Sequence, residues 1–355
     1  MNLSKLITHV ASMRNISESN SVEKSNIKRA INLAYKNFCS RYRWSFLKRK
    51  QSLSTIVTYK AGAATATYGS RTVTGVGTNW VGLTFRYFRM GSNQQWYKIA
   101  SVGGASLTLE LPYIQVSSSG PYEIWARYYE LNTDVKDVTN MYIDGSVRRI
   151  LRFPEREGMG FKFNRLSTGT PPEYWIEVAP TKNVYLYSAG VVSGAINTRT
   201  LTGIGTLWLD TVNVGDSVKI STSTYNVYTV DNDTQLTLCQ NLNETITTAA
   251  YLISRKENKR IQFDKAPSDY GDIITYDYIK YVYDMDNNLD EPEIPEALHE
   301  IILLGAIYEY DKMLDDVRES QDQQKYELAI AQAYKKSDAN SGDQPDQWYF
   351  QEQSD

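Results

Sequence analysis

The sequence predicts an α+β fold in which a helical bundle is joined to a β core and to two inserted small β-barrel or sandwich modules. Apolar residues recur at helical spacing near both ends of the chain, which favours an N-terminal helix pair and long C-terminal helices. Between them, one phrase of eleven residues occurs twice, 128 positions apart. A phrase repeated at this distance indicates two copies of one folding unit.

The repeated phrase reads SRTVTGVGTNW at residues 70–80 and TRTLTGIGTLW at residues 198–208. The match is wider than the phrase, because it begins at Tyr59 in the first copy and at Tyr187 in the second. Ten of the 22 aligned positions are identical. A weaker correspondence continues downstream, so each unit covers about 60 to 70 residues.

Within each unit the residues alternate between polar and apolar, which is the pattern of a half-buried strand. We expect about five strands per unit, closed into a small barrel or sandwich. Trp80 and Trp208 end the two copies of the phrase, and we interpret them as core anchors of the modules. The GxG of each phrase lacks the third glycine and the following helix of a dinucleotide loop, so it predicts a tight turn.

The helical segments have recognisable ends. Residues 3–14 present one apolar face, and Asn20 followed by Glu23 resembles a capping box for a second helix that runs to about Trp44. Near the other end of the chain, Pro295 suits the first turn of a further helix. Helical spacing then continues to about residue 336.

These patterns divide the chain into a discontinuous core, two modules and a tail. The predicted ranges are 1–58, 129–186 and 256–336 for the helical and β core, 59–128 for module 1, 187–255 for module 2, and 337–355 for an extended C-terminal arm. The arm has the polar composition of a linker and ends in one aromatic cluster, Trp348, Tyr349 and Phe350. We interpret this cluster as a docking element.

Composition excludes several classes of protein. The formal net charge of −3 gives no global signal for nucleic-acid binding, and no apolar run approaches the roughly 18 residues of a membrane span. The chain has two cysteines, Cys39 and Cys239, which support neither a disulfide framework nor a zinc site. The N-terminus lacks the cleavage pattern of a signal peptide, so we expect a cytosolic origin.

Tyrosine makes up 27 of the 43 aromatic residues. Its phenol combines contact area with a polar tip, which suits wet subunit interfaces and also half-exposed strand positions. Both interpretations stay open on composition alone.

No catalytic arrangement is visible. His9 and His299 occupy unrelated positions, and the chain contains no P-loop, GxSxG or HExxH motif. Carboxylates are plentiful, so a glycosidase pair stays open, but nothing singles one pair out. We therefore expect a protein that is not an enzyme, with no cofactor.

Residues 284–296, DMDNNLDEPEIPE, form an acidic loop with oxygen-bearing side chains at alternate positions, as in a calcium-binding loop. The glycine that such a loop needs at its sixth position is Leu289, however, and the glutamate of its twelfth position is Pro295. Acidic residues also suit the start of the helix that follows. We expect no metal site here.

Four segments together resemble the head-to-tail adaptor proteins of tailed bacteriophages, also called connector or tail tubular A-like proteins. They are AYKNFCSRYRWSF (34–46), GTPPEYWI (169–176), IQFDKAPSDYGDIITYDYIKYV (261–282) and IPEALHEIILLGAIYEY (294–310). The last segment is the most specific, and the resemblance covers about 60 % of the chain. The two modules are larger additions than a minimal adaptor carries.

The resemblance implies a structural virion protein of the neck or tail, made in the host cytoplasm. In that family the helical part forms a ring, usually twelve-fold, that joins the portal to the tail and surrounds the DNA passage. The implied partners are further copies of the chain, the portal protein, and the tail nozzle or next ring protein, with tail fibres as a further candidate and transient, non-specific contact with genomic DNA. On this basis Trp348, Tyr349 and Phe350 are candidates for portal docking, and the modules are expected on the outside of the ring.

Basic residues are candidates for facing the DNA channel. They form two groups, Arg41, Arg43, Lys48, Arg49 and Lys50 in the first and Arg148, Arg149 and Arg152 in the second. Arginine and lysine side chains contact phosphates without reading sequence. A run of cations at a helix end is also an ordinary solvated face.

Two other functions stay open. A tail fibre or host-recognition protein that binds carbohydrate would suit repeated β modules rich in Trp and Tyr, although fibre repeats such as coiled coils are absent from the sequence. A bacterial cell-surface protein is disfavoured because no signal peptide is visible.

Overall fold

The computed structural model of the chain describes residues 1–17, 19–81, 83, 86–91, 95–126, 128–143, 150–152, 173–178, 185–255, 259–263 and 272–341. Its helices are α1 (Leu3–Met13), α2 (Ser21–Arg41), α3 (Trp208–Thr211), α4 (His299–Met313) and α5 (Glu319–Ser341). Short 3₁₀ turns lie at Ser45–Leu47 and Glu296–Leu298.

The strands of the first half of the chain are β1 (Lys48–Ser54), β2 (Ala63–Ala66), β3 (Thr72–Val76), β4 (Tyr87–Met90), β5 (Tyr97–Gly103), β6 (Ser106–Leu109), β7 (Ser118–Gly120), β8 (Tyr122–Trp125), β9 (Tyr128–Glu130), β10 (Val135–Ile143), β11 (Leu151–Arg152) and β12 (Glu173–Val178). Those of the second half are β13 (Tyr185–Tyr187), β14 (Val191–Gly194), β15 (Thr200–Ile204), β16 (Ser217–Ile220), β17 (Ser223–Asn232), β18 (Gln235–Leu238), β19 (Ile246–Ala249), β20 (Tyr251–Arg255), β21 (Lys259–Phe263) and β22 (Ile273–Lys280).

The four long helices, α1, α2, α4 and α5, pack together and form the helical layer. The side chain of Asn20 begins α2 by accepting hydrogen bonds from the backbone N–H groups of Val22 and Glu23, at 3.1 and 3.3 Å. The apolar faces of the helices share one core, which also contains Leu47 and Ile279 of β22. The helical layer is therefore attached to the central sheet.

The central sheet is antiparallel, with strand order β1-β22-β10. A second sheet has the order β11-β12-β21-β9. Residues of both sheets, including Tyr276 of β22 and Phe263 of β21, share a separate core. The central sheet thus connects the helical layer with the rest of the β structure.

Module 1 is one curled sheet of order β7-β2-β3-β6-β5-β4-β8. Strands β7 and β8 stand at opposite ends of this order, yet Pro121 alone separates them in the chain. Because one residue bridges only about 7 Å, the two edges must come together. The sheet therefore curls almost into a barrel.

Module 2 repeats this arrangement with eight strands, in the order β13-β20-β16-β17-β18-β15-β14-β19. Its extra strand, β13, pairs Tyr187 with Ile253, where module 1 has a single bridge between Tyr59 and Ile124. Among the described residues the modules thus contain seven and eight strands, where the sequence predicted about five.

The prediction of an α+β fold built on a helical bundle is wrong. The chain is mostly β, with 37 % strand and 27 % helix, and its four long helices lie two at the N-terminus and two at the C-terminus. Helical periodicity over 11 to 23 residues is a strong signal, whereas strands of three to five residues offer only one or two alternations each. The helical segments therefore dominate the pattern of the sequence, although strands make up more of the structure.

Candidate functional site

Each module is built around a buried tryptophan bonded to a tyrosine. Trp80 Nε1 donates to the hydroxyl of Tyr122 at 2.9 Å, and that hydroxyl donates to the carbonyl oxygen of Ala61 at 2.5 Å. The equivalent bonds in module 2 join Trp208, Tyr251 and Ala189, at 3.1 and 2.6 Å. Both indoles are fully buried. Burial also raises the pKa of Tyr122 to about 12, so the phenol remains a donor.

The glycines of the repeated phrase allow this packing. A Cβ on Gly75 would lie 2.2 Å from Thr78 Oγ1 and 2.8 Å from the Trp80 ring. Gly62 has φ +80°, and a Cβ there would lie 2.4 Å from the carbonyl oxygen of Val76. Gly203 and Gly190 stand in the same surroundings in module 2. The phrase therefore encodes packing around the tryptophan, and its GxG forms no ligand loop.

The first group of candidate DNA-facing cations lies at the end of α2 and along β1, an edge strand of the central sheet. Arg41 pairs with Glu327 at 2.6 Å. Arg43 lies 3.2 Å from Asp137, which also binds Arg152 at 2.8 Å. These three arginines therefore have carboxylate partners that the sequence did not indicate, although their side chains are still one-third to one-half exposed.

The other cations of β1 also have partners. The Nη1 atom of Arg49 donates to the carbonyl oxygens of Phe46 and Lys48, both at 3.0 Å. The ammonium of Lys50 lies 5.2 Å from the centre of the Tyr142 ring. Lys48, Lys50 and Gln51 are exposed, so this edge of the sheet remains a basic surface.

Several predicted site residues lie outside the described residues. They are Arg148 and Arg149 of the second basic group and the aromatic cluster Trp348, Tyr349 and Phe350. Helix α5 continues to Ser341, five residues into the range predicted for the extended arm.

Module 2 docks on the acidic loop through a second loop, residues 239–245. One carboxylate oxygen of Asp290 accepts hydrogen bonds from the backbone and side-chain nitrogens of Asn241, at 2.7 and 3.0 Å. Asn243 donates to Asp286 at 3.0 Å, and Asn287 donates to the carbonyl oxygen of Leu242 at 3.0 Å. The acidic loop is therefore the docking surface of module 2.

The same acidic loop is held by the helical layer. Asp286 pairs with Lys28, and Asp284 pairs with Lys36 at 2.7 Å. The backbone N–H of Leu3 donates to the carbonyl oxygen of Asp290 at 2.8 Å. The carboxylates of the loop thus accept from α2 and module 2, and its backbone carbonyls accept from α1. Within the described part of the chain, no group of three or more His, Cys, Asp or Glu residues is arranged to hold a metal ion.

Module 2 has a second attachment, beside β9. The Arg255 guanidinium forms two hydrogen bonds with Asp216, at 2.9 and 2.8 Å, and a third with Glu130 at 3.0 Å. Asp216 also accepts from the hydroxyl of Thr133 at 2.8 Å. The bidentate pair of Arg255 and Asp216 lies within module 2, and the bonds to Glu130 and Thr133 attach it to the core.

Ionisable side chains cluster where module 2 meets β1 and β22, around a cavity of about 180 Å³. Lys280 is almost fully buried and pairs with Glu293. Asp134 is 5 % exposed and accepts from Tyr278 at 3.1 Å, while its second oxygen has no hydrogen-bond partner among the described residues. Burial raises the pKa of the Asp134 carboxyl, and the bond from Tyr278 only partly offsets this.

The Cys239 thiol and the His299 imidazole, two side chains of types that often act in catalysis, are both shielded from solvent. Burial raises the pKa of the Cys239 thiol, which lines this cavity, to about 12, so it stays protonated and is a poor nucleophile. His299 is 4 % exposed, and its Nδ1 lies 2.5 Å from the Met1 amine, while its Nε2 lies 3.1 Å from the carbonyl oxygen of Ile294. It is therefore part of the packing at the start of α4.

One end of the helical layer exposes a group of apolar side chains. A partly buried arginine marks this end, because Arg14 binds Asp311 of α4, with a 2.7 Å bond from Nε, and also binds Asp322 of α5. Around these ion pairs lie five exposed apolar residues, Met13, Val22, Met313, Leu314 and Val317, which we call the helix-end patch. Val22 belongs to it because its neighbour Glu23 accepts a hydrogen bond from Tyr310.

No protein-family model matches the sequence, and no curated protein gives a significant match. No helix among the described residues combines the length and the apolar character needed to cross a bilayer.

Proposed function

We propose that the chain is a structural subunit of a bacteriophage neck. In this proposal its copies form a ring of about twelve that joins the portal to the tail and surrounds the DNA passage. The sequence resemblance to head-to-tail adaptors supports the proposal, and the number twelve comes from that family.

The helix-end patch is the observation that carries the proposal. Val317 is 94 % exposed, and its four apolar neighbours are also open to solvent. Apolar groups gathered on one surface usually mark a protein contact. In the resembled family the helical part makes the subunit contacts of the ring, and an apolar patch on the helical layer supports a contact of that kind.

Two further features agree with a ring around DNA. The exposed edge strand β1 carries Lys48 and Lys50 but no long apolar face, and lysines on an edge strand oppose pairing with another sheet. The basic groups beside it are partly neutralised by Asp137 and Glu327, which would weaken non-specific DNA binding and allow DNA to slide.

Native mass spectrometry and negative-stain electron microscopy of the purified chain test this proposal. We expect rings of about twelve copies, and about a dozen copies per particle when purified virions are quantified against the major capsid protein. A chain that stays monomeric at all concentrations, with or without portal protein, would contradict the ring.

One observation favours a host-recognition protein as the second candidate. Module 1 exposes Tyr68 beside an apolar loop, and exposed aromatic rings are suited to stacking on sugars. Copy numbers in higher multiples of three, together with glycan-array binding by the whole chain that is lost in Tyr68→Ala, would favour this candidate.

A further inference from the structure

The same loop occurs in both modules, in different surroundings. In module 2 it covers residues 239–245, where Leu242 exchanges backbone hydrogen bonds with Asn197 and Thr198, at 2.9 and 2.8 Å. In module 1 it covers residues 110–116, where Tyr113 exchanges the equivalent bonds with Gly69 and Ser70, at 2.7 and 2.8 Å.

A tyrosine hydroxyl completes the equivalence. In module 2 the backbone N–H of Asn243 donates to Tyr225 at 3.2 Å, and in module 1 that of Ile114 donates to Tyr97 at 3.1 Å. Because the backbones of the two loops are held by the same bonds, a difference in their side chains reflects a difference in what they contact.

The side chains differ in polarity. The module 2 loop, CQNLNET, uses Asn241 and Asn243 to bind the acidic loop. The module 1 loop, ELPYIQV, instead exposes Leu111, Ile114 and Val116, at 68, 62 and 85 %. Tyr68, which is 69 % exposed, is held alongside by a 2.9 Å hydrogen bond from its backbone N–H to Ser117. We call these four residues the module-1 patch.

The acidic loop of the same chain cannot cover the module-1 patch. Module 2 already occupies it, with Asp290 bound to Asn241 and Asp286 bound to Asn243. Its carboxylates would also be poor neighbours for apolar side chains. An occupant of the module-1 patch would therefore have to present an apolar surface.

We propose that the module-1 patch of one copy docks on the helix-end patch of a second copy. This inference rests on the proposed function and names the contact that closes the ring. In module 2 the loop already docks on a turn that is bound to the helical layer, through Lys28 and Lys36. The helix-end patch offers a comparable turn, between α4 and α5, with Leu314 and Val317 exposed on it.

The proposed contact joins two different surfaces. A contact of this kind is heterologous, and it produces a closed ring when the rotation between neighbours divides a full turn. Each copy then contributes one module-1 patch and one helix-end patch, so that both of these patches are covered in every copy of the ring.

A mixing experiment with two charged variants tests the contact. The loop variant is Leu111→Asp with Ile114→Asp, and the helix-end variant is Leu314→Asp with Val317→Asp. We expect each variant alone to be monomeric by native mass spectrometry. A mixture, with one variant labelled with ¹⁵N, should form 1:1 heterodimers and nothing larger, because only one intact contact remains.

Val76→Asp is the matched control, since Val76 is an exposed residue of the same module. It lies four residues from Thr72 along β3, and therefore about 13 Å from the end of the strand beside the loop. It should assemble like the parent. Far-UV circular dichroism spectra of all variants should coincide with that of the parent, because each change is on an exposed side chain.

Other outcomes separate the two proposals. A helix-end variant that still dimerises alone would show a loop-to-loop contact and overturn the inference. Parent rings that persist in the loop variant would overturn the docking contact and leave the proposed function standing. A parent chain that never assembles would contradict both.

Discussion

Trp80 and Tyr122 stand edge to face, with ring centroids 5.6 Å apart and an angle of 89° between the planes. In module 2, Trp208 and Tyr251 have the same relationship, at 6.0 Å and 85°. In both pairs the indole N–H donates to the phenol, so the polar atom of the tryptophan is satisfied inside an apolar core. This pair is the structural reason for the repeated phrase.

Replacing Trp80 with Ala should unfold module 1. The side chain is fully buried, and truncating a buried Trp costs about 3–5 kcal/mol. We expect a lower first transition in calorimetry of Trp80→Ala, with the transition of module 2 unchanged. Trp208→Ala is the matched variant, and it should lower the transition of module 2 and leave that of module 1 unchanged. Melts of both variants that coincide with the parent would rule out the anchor role.

Tyr122→Phe tests the hydrogen bonds separately from the packing. The change keeps the ring but removes the acceptor for Trp80 and the donor to Ala61. A buried donor left without a partner costs about 1–3 kcal/mol. Chemical denaturation should show this loss for Tyr122→Phe and almost none for the exposed Tyr68→Phe. Equal losses of unfolding free energy in the two variants would mean that the hydrogen bonds of Tyr122 do not stabilise the module.

Gly75→Ala should destabilise module 1 by overpacking. The new methyl group would lie 2.8 Å from the Trp80 ring, and a clash of this kind costs about 1–3 kcal/mol. Gly103→Ala is the control in the same module, because its Cβ would meet only the side chain of Ser106, at 3.7 Å. Urea denaturation of the two variants compares them. Unchanged stability in Gly75→Ala would show that the ring can move aside.

The sequence indicated the two modules because their packing depends on local patterns. The glycines, the alternation and the tryptophan of the phrase all lie within 22 residues of one another, and each has a specific steric role. The long helices were visible for the same reason. Strand number and the overall mostly-β character were missed, because strands of three or four residues leave little periodicity to detect.

The contacts between the parts of the chain could not be predicted. Asp290 binds Asn241, 49 residues away, and Arg43 binds Asp137, 94 residues away, and no local pattern links such pairs. One signal was nevertheless present. The loops ELPYIQV and CQNLNET follow equivalent strands but differ in polarity, which shows that the two modules have different neighbours.

Asp290→Asn should weaken the contact between module 2 and the acidic loop. The carboxylate accepts four hydrogen bonds, two from Asn241 and two from the backbone N–H groups of Asp286 and Asn287. An amide offers one acceptor oxygen and turns its NH₂ toward other donors. Each hydrogen bond to a charged group contributes about 1.5–3 kcal/mol to stability.

Hydrogen exchange is the measurement for this change. In Asp290→Asn we expect faster exchange in residues 284–290 and 239–245, together with a lower melting temperature. Glu291→Gln, an exposed neighbour in the same loop, is the control and should exchange like the parent. Exchange that is equal in all three proteins would mean that other contacts, such as Arg255 with Glu130 and Thr133 with Asp216, suffice to hold the module.

Asp134→Asn should stabilise the protein at neutral pH and leave it unchanged in acid. Burial raises the pKa of Asp134 in the folded state, so folding favours its protonated form. The stability from this group is complete below the ordinary pKa of an aspartate and is lost as the pH rises through the raised pKa. Asparagine resembles the protonated form at every pH, and its amide oxygen can still accept from Tyr278.

The melting temperature of Asp134→Asn minus that of the parent should therefore grow from pH 3.5 to pH 7, while the exposed Asp315→Asn shows no such trend. A loss of stability in Asp134→Asn that grows toward neutral pH would mean instead that the ionised carboxylate is needed beside Lys280.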